Sequence, residues 1–299
     1  MENCQQIAGK LDALGLWNEL AGINWAVKVK GRAMPFFCTV LKGCGNDAVK
    51  CRVLFLEGWQ TLHDFIRLRM DESFGYYISP MEMLHYELVV FNDSTGARIF
   101  KHDSGYVPRE VKSDSEQELC AKLLWQTYGV MLRLESDMSL AMKYAEERAF
   151  FSRVETESGE WCDAPLVICD PLPVTETVSF PVATVDKAKS LPLEASRSIY
   201  ADFSFVPGVM TKDPKPRTVY RLSVKDLQSG ELFTRDMSMP VGGTLKGMWE
   251  RLPSDILSLL VERSFIPGEI KMKSKRLFRL MRPLMHQLPV KLSITDSAP

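Results

Sequence analysis

Three short runs near the C-terminus decide the fold: IYADFSFV at 199–206, TVYRLSVK at 218–225 and ELFTRDM at 231–237. The first two runs are rich in β-branched and aromatic residues, which favour strands, and the third contains Phe233 and Thr234. The turn residues Asp226–Gly230 separate the second run from the third, so these two strands are expected to form a hairpin. Three antiparallel strands are therefore predicted to begin the C-terminal half.

The rest of this half alternates helices with strands. Apolar periodicity predicts a helical region over Thr244–Arg263, broken at Pro253, and a second helix over Lys275–Gln287. Strands are predicted at Glu269–Lys273 and Val290–Ile294. The predicted order is β-β-β-α-β-α-β, with a mixed five-stranded sheet.

This order is similar in topology to the ribonuclease-H-like fold, in which two parallel strands, reached through helical crossovers, extend three antiparallel ones. The resemblance implies two metal ions held by an Asp on the first strand, a Glu on the first helix and an Asp at the end of the fourth strand. Asp202 matches the first position, and Glu250 is a candidate for the second. The fourth strand ends with Lys271-Met272-Lys273-Ser274, without an acid, so nuclease activity is not expected.

The N-terminal half predicts an antiparallel meander with helices. Apolar residues at steps of three and four between Ile7 and Trp17 predict an amphipathic helix, and a second helix is expected over Trp59–Met70. Strands are predicted at Trp25–Lys30, Phe36–Leu41, Val49–Leu56, Tyr86–Phe91 and Ala97–Lys101. Turns are predicted at Gly43–Asp47 and Asn92–Gly96, and a helical turn at Ser79–Glu82. A capping box at Ser113–Glu116 then opens a long helix, and a hairpin of Phe151–Thr156 and Trp161–Ile168 closes the domain.

The chain is long enough for two domains. Its 299 residues, 45% hydrophobic and 25% charged, fall in the ordinary globular range. Residues 1–169 are predicted to form an N-terminal α+β domain, and residues 198–299 a C-terminal ribonuclease-H-like α/β domain. Because prolines punctuate residues 170–197, this segment is expected to be a connector poor in regular structure. The fold class is α+β.

The chain is expected to be cytoplasmic and not to contact a membrane. Its first residues, MENCQQ, lack a basic region followed by an apolar stretch. No window approaches the roughly 18 apolar residues that a membrane span requires.

Cysteine and histidine spacing gives no sign of a metal or cofactor site. The seven cysteines are an odd set without a C-x-x-C pair, which indicates reduced thiols. The four histidines, His63, His85, His102 and His286, are far apart and share no i, i+4 spacing. We therefore expect no catalytic residue, no metal ligand and no cofactor.

The wider chain resembles a bacterial family of uncharacterised two-domain proteins of unknown function. The matching features of the first half are Trp17, Phe36–Leu41 with Gly43, Leu54–Leu62 and Ser104–Pro108 ahead of an acidic helix start. Those of the second half are Asp226–Gly230 with Glu231-Leu232, and Ile266–Ile270 followed by Ser274 and the Leu277 helix. The resemblance implies no catalytic residues.

Charge is unevenly distributed, since residues 201–299 hold 16 Lys and Arg against 10 Asp and Glu, although the whole chain has a net charge of −1. The densest basic cluster, a candidate contact for phosphates or an acidic partner, comprises Lys271, Lys273, Lys275, Arg276 and Arg279. The charge split also fits complementary surfaces within the protein. Two hypotheses follow: a non-catalytic binding or adaptor protein acting through protein–protein contacts, and a nucleic-acid-binding module on a degenerate ribonuclease-H-like scaffold. The oligomeric state is left open.

Overall fold

The chain has a mixed α and β structure with two mixed sheets. A computed structural model describes residues 3–16, 19–21, 23–42, 48–70, 85–92, 96–170 and 176–295. The chain divides into two compact units: unit 1 comprises Met1–Ile66, Met83–Asp103 and Pro108–Leu172, and unit 2 comprises Arg67–Glu82, Ser104–Val107 and Pro173–Pro299. The turns predicted at Gly43–Asp47 and Ser79–Glu82, together with Trp17, lie outside the described residues.

Unit 1 contains an eight-stranded sheet. Its strands are β1 (Asn24–Lys28), β2 (Phe36–Lys42), β3 (Val49–Glu57), β4 (His85–Phe91), β5 (Ala97–His102), β6 (Arg109–Glu110), β7 (Ala149–Glu155) and β8 (Trp161–Val167). The order is β6-β5-β4-β3-β2-β1-β7-β8, so the first six strands form the predicted antiparallel meander. Strand β7, the first strand of the closing hairpin, pairs with β1 in parallel. A parallel pair needs a long crossover connection, which here contains α3 and α4, and the parallel pair makes the sheet mixed.

Helices cover both faces of this sheet. They are α1 (Cys4–Leu14), α2 (Trp59–Met70), α3 (Asp114–Ser136) and α4 (Ser139–Glu146). Alternate strand residues face opposite sides, and those facing α1 and α3 form the main core, which includes Trp25, Phe36, Phe55, Leu88, Leu123 and Leu124. On the other face, the Phe37 ring centroid lies 4.5 Å from that of Trp59.

Unit 2 contains a five-stranded sheet. Its strands are β9 (Leu193–Met210), β10 (Thr218–Asp226), β11 (Leu232–Ser238), β12 (Ile266–Met272) and β13 (Lys291–Ile294), in the order β11-β10-β9-β12-β13. Strands β9, β10 and β11 are antiparallel, whereas β12 is parallel to both β9 and β13. The helices of this unit are α5 (Val182–Lys189), α6 (Leu245–Glu262) and α7 (Lys275–Met281).

Three proline positions account for differences from the predicted elements. The segment 170–197 carries α5 and the start of β9, since Pro181 is the N-cap of α5 rather than an interior residue. Pro253 lies inside α6, which continues through it because its apolar face is buried on both sides. The helix expected to reach Gln287 instead tightens into a 3-10 helix at Arg282–His286, where Pro283 lacks a backbone N–H.

The segment Ser104–Val107 belongs to unit 2 and pairs with the start of β10. Tyr106 forms an antiparallel bridge with Arg217, and the backbone N–H of Thr218 donates to the Gly105 carbonyl at 3.1 Å. Gly105 has a φ of +79°, and a Cβ there would lie 2.8 Å from the Met239 sulfur. The segment is therefore a structural element of the sheet, held by a position that requires glycine.

Candidate functional site

Asp202 lies in the middle of β9, one position past the residue that pairs with Met272 at the C-terminal end of β12. The parallel register pairs Lys271 with Tyr200 and Met272 with Ala201, which places Lys273 next in line. Burial raises the pKa of Asp202 above its ordinary value, while hydrogen bonds from Phe203 and Ser204 and the charge of Lys273 act in the opposite direction. The side chain supplied by the end of the fourth strand is thus a cation rather than a carboxylate.

Glu250, the second candidate acid, is engaged elsewhere. The backbone N–H of Thr177 donates to its Oε1 at 2.7 Å, and Lys246 Nζ lies 3.8 Å from the same oxygen. Within the described part of the chain, neither Asp202 nor Glu250 belongs to a group of three residues that could hold a metal ion.

Replacing Asp202 with Asn is expected to stabilise the protein at pH 7, because burial disfavours the charged carboxylate there. Burial raises the pKa of Asp202 in the folded state. Its favourable contribution to folding stability is therefore complete below pH 3.8, the ordinary pKa of aspartate, and is lost as the pH rises through the folded-state pKa. The gain should therefore appear at neutral pH and vanish near pH 3, as urea unfolding across this range would measure. In Asp236→Asn the sign should reverse, since a hydrogen bond from Arg221 lowers the pKa of Asp236. Equal effects of the two substitutions at pH 7 would contradict this account.

The predicted basic cluster does not form one exposed surface. Lys273, Lys275 and Arg279 are exposed, while Lys271 lies 3.6 Å from Glu269 in an ion pair. Arg276 is only 6% exposed. Its Nε donates to Glu176 Oε1 at 2.8 Å, and its guanidinium lies 4.4 Å from the Trp249 ring centroid. Arg276 is therefore engaged within unit 2, and the predicted contact with phosphates or an acidic partner depends mainly on the exposed Lys273, Lys275 and Arg279.

Unit 1 brings together three buried residues that the sequence did not indicate as a site. His85 and Glu87 lie on β4, and His102 lies on β5, with ligand-capable atoms all within 4.8 Å of one another. The antiparallel register places His85 directly opposite His102, and their rings stack at 4.1 Å with an interplanar angle of 14°. We refer to His85, Glu87 and His102 as the β4–β5 cluster.

Glu87 is the charged member of this cluster. His102 Nε2 donates to Glu87 Oε2 at 2.6 Å, and Arg52 Nη1 lies 3.3 Å from Glu87 Oε1. Burial acts to raise the pKa of Glu87, but the His102 hydrogen bond and the nearby positive charges outweigh it and hold this pKa below its ordinary value. The carboxylate therefore stays ionised in a site that solvent hardly reaches.

A second feature of unit 1 is an open pocket of about 600 Å³ between helices and the sheet edge. Its lining is predominantly apolar and comprises Ile7, Ala121, Lys122, Trp125, Gln126, Glu155 and Trp161. Lys122 Nζ lies 3.7 Å from Glu155 Oε1. Gln126 is 5% exposed, and its Oε1 accepts a hydrogen bond from Arg153 Nε at 3.1 Å, which fixes its orientation.

The pocket adjoins an apolar stripe on α3 that is exposed at both ends and half-buried at Tyr128. Trp125, Tyr128 and Leu132 are spaced i, i+3 and i+7, so they lie on one side of the helix. Trp125 is 44% exposed and Leu132 is 40% exposed, while the Trp125 and Tyr128 rings stack at 5.5 Å. We call these three residues the α3 stripe.

Comparison with known proteins gives no relative. No protein-family model, no curated protein and no solved structure matches the chain. No helix in the described ranges is long and apolar enough to span a lipid bilayer. Function must therefore be inferred from the β4–β5 cluster, the pocket and the surroundings of Asp202.

The residues of the β4–β5 cluster and of the pocket are far apart in the sequence, so sequence patterns did not indicate them. His85 and His102 are 17 positions apart, which resembles no metal-binding motif until the hairpin register is known. Trp125 and Trp161 lie on α3 and β8, so only the tertiary structure places them in one pocket. One sequence signal could have found the histidines. If the predicted strands Tyr86–Phe91 and Ala97–Lys101 pair as a hairpin, extending that pairing by one residue places His85 opposite His102.

Proposed function

We propose that the chain is a non-catalytic binding protein, and that unit 1 binds a partner protein through the pocket and the α3 stripe. The observation that carries this proposal is that Trp125 belongs both to a pocket that Trp161 also lines and to an apolar row whose ends, Trp125 and Leu132, are exposed. Exposed apolar patches of this kind mark protein–protein contacts. The partner would insert an aromatic or aliphatic side chain between the two tryptophans.

The pocket is suited to an anchor residue. Interface energy concentrates in a few buried aromatic contacts, with tryptophan among the strongest contributors. The Lys122–Glu155 ion pair and the fixed Gln126 amide provide polar groups at the pocket wall, which would orient the backbone of a bound segment. Tyr128 and Leu132 extend the apolar surface beyond the residues that line the pocket, which favours a macromolecule over a small ligand.

We infer that unit 2 is a ribonuclease-H-like scaffold without the nuclease centre. Support comes from the strand order, in which three antiparallel strands are extended by two parallel ones. Further support comes from Lys273 beside Asp202 and from the bonded state of Glu250. A pair of metal ions requires clustered carboxylates, and a lysine at this position opposes cation binding.

Selection from a displayed random-peptide library would test the proposed partner site. The wild-type chain should enrich peptides that share an aromatic or aliphatic anchor. Trp125→Ala should weaken binding of the selected synthetic peptides by more than about tenfold, as expected for a hot-spot residue. Isothermal titration calorimetry gives the affinities.

A matched control is Val241→Ala, which removes an apolar side chain that is 85% exposed and belongs to unit 2. This variant should bind the selected peptides as the wild type does. Peptides that bind wild type and Trp125→Ala equally would place the binding site elsewhere. Failure to enrich any peptide above the Trp125→Ala background would refute the pocket as a partner site.

Nucleic-acid binding by unit 2 stays the alternative, and it now depends on fewer residues. Lys273, Lys275 and Arg279 are the exposed members of the basic cluster. Phosphate contacts would give an affinity that falls steeply with salt. Two variants would separate the two functions. Lys273→Glu should weaken binding of nucleic acid only, and Trp125→Ala should weaken binding of a partner protein only.

A further inference from the structure

We propose that the β4–β5 cluster is a binding site for one divalent transition-metal ion of the Zn²⁺ class, with His85, Glu87 and His102 as its protein ligands. Two imidazoles and one carboxylate are a ligand set that zinc uses when a fourth position is left for water or another ligand. Three residues on two adjacent strands supply it, and strands hold side chains more precisely than loops do.

The distances fit a site that closes on an ion. Zinc binds nitrogen at about 2.0–2.1 Å and carboxylate oxygen at about 2.0–2.2 Å, so its ligand atoms lie roughly 3.4 Å apart in a tetrahedron. The ligand-capable atoms of the cluster already lie within 4.8 Å of one another. Binding would draw these atoms to coordination distance, and the stacked His85 and His102 rings would rotate so that their nitrogen lone pairs converge on the ion.

The packing within the cluster also fits. The His85 and His102 rings stack with centroids 4.1 Å apart, and this places their nitrogens beside the Glu87 carboxylate in one buried site. In the hydrogen-bonded arrangement His102 Nε2 faces Glu87, which leaves Nδ1 buried without a hydrogen-bond partner among the described residues. A buried lone pair left unsatisfied is costly, and a metal ion removes that cost when the ring turns to bind it.

Arg52 supplies the outer contact that such a site requires. Its Nη1 lies 3.3 Å from Glu87 Oε1, whereas the other carboxylate oxygen, Oε2, faces His102. Ligating carboxylates in metal sites are themselves held by neighbouring donors, which fix their orientation. Arg52 would hold one oxygen of Glu87 in this way and leave the other to bind the ion.

The competing explanation is a metal-free network in which Glu87 is neutralised by Arg52 and hydrogen-bonded to His102. Both explanations predict that the cluster is buried. They differ in whether Co²⁺ or Zn²⁺ binds to the folded full-length chain with one-to-one stoichiometry. The test therefore uses these two ions as probes.

The experiment starts from full-length protein purified without a histidine tag and stripped with a chelator. Co²⁺ titration should produce the visible absorption of a low-coordinate site and saturate at one equivalent, and Zn²⁺ should displace it. His102→Gln should weaken Co²⁺ binding by more than about tenfold. His286→Gln, which alters an exposed histidine outside the cluster, should leave it unchanged.

A second measurement covers the case in which His102→Gln does not fold. In wild-type protein labelled with nitrogen-15 at histidine, Zn²⁺ should shift the imidazole signals of two of the four histidines. Absence of one-equivalent binding by the wild type, or Zn²⁺ shifts confined to His63 and His286, would overturn the proposal. Trp125→Ala should bind Co²⁺ normally, so failure of the partner-site proposal is distinguishable from failure of the metal site.

Discussion

Gly268→Ala is expected to lower the free energy of unfolding by about 3 kcal/mol or more. Gly268 lies on β12 where that strand approaches β9 most closely. A Cβ at this position would lie 2.1 Å from the Ala195 carbonyl oxygen and 2.7 Å from its carbon. Both atoms are backbone, so relief would require the two strands to separate.

The local pairing explains why this approach is so close. The register between β9 and β12 shifts between Pro267 and Glu269, as at a β-bulge. Proline within a sheet is tolerated at such irregular positions, and glycine there allows the neighbouring backbone to approach. The dipeptide Pro267-Gly268, predicted to lead into the strand, is therefore part of it.

Gly129→Ala is the matched control, since Gly129 lies within α3 and a Cβ there meets nothing within 4 Å. An alanine in a helix interior should raise the free energy of unfolding by about 1 kcal/mol. Urea unfolding followed by circular dichroism would compare the two variants. If Gly268→Ala were as stable as the wild type, the β9–β12 pairing described here would be incorrect.

Short runs of strand-forming residues made much of the fold predictable from the sequence. The runs at 36–41, 49–56 and 218–225 each correspond to an observed strand. Buried and half-buried positions alternate along 220–225, whereas 36–41 is buried on both faces of the sheet. Strands that follow one another along the chain then pair, even where α2 separates β3 from β4, and this gives the six-stranded meander of unit 1. These features depend on local chemistry, so a local pattern reveals them.

Pairings between distant parts of the chain were not predictable in the same way. The segment Ser104–Val107 pairs with Arg217 and Thr218, more than a hundred positions away, and β7 pairs with β1 across α3. No residue in these segments identifies its partner. The β4–β5 cluster was missed for a related reason, because its two histidines become neighbours only through the β4–β5 register.

The basic cluster shows why a charge-rich run is weak evidence for a binding face. Ser274 is the N-cap of α7, and its hydroxyl accepts from the Leu277 N–H at 3.1 Å. This start sets the helix phase so that Leu277 and Leu280 are buried, and Arg276 is buried with them. Lys275 and Arg279 are exposed. Sequence reasoning counted all five cations as exposed because it could not foresee Glu176 as a buried partner.

Arg276→Ala is expected to lower the free energy of unfolding by about 3–5 kcal/mol, since it leaves the carboxylate of Glu176 unpaired in a site where that side chain is 11% exposed. It also removes the guanidinium that lies against Trp249. Lys275→Ala, the adjacent exposed cation, should change stability by less than about 0.5 kcal/mol. Chemical unfolding followed by tryptophan fluorescence would measure both variants.

A fully stable Arg276→Ala that had lost nucleic-acid binding would reverse the assignment, because Arg276 would then contact phosphate rather than support the fold. If Arg276→Ala is unstable, its loss of nucleic-acid binding would report only unfolding. A stably folded Lys273→Glu is then the variant that tests nucleic-acid binding.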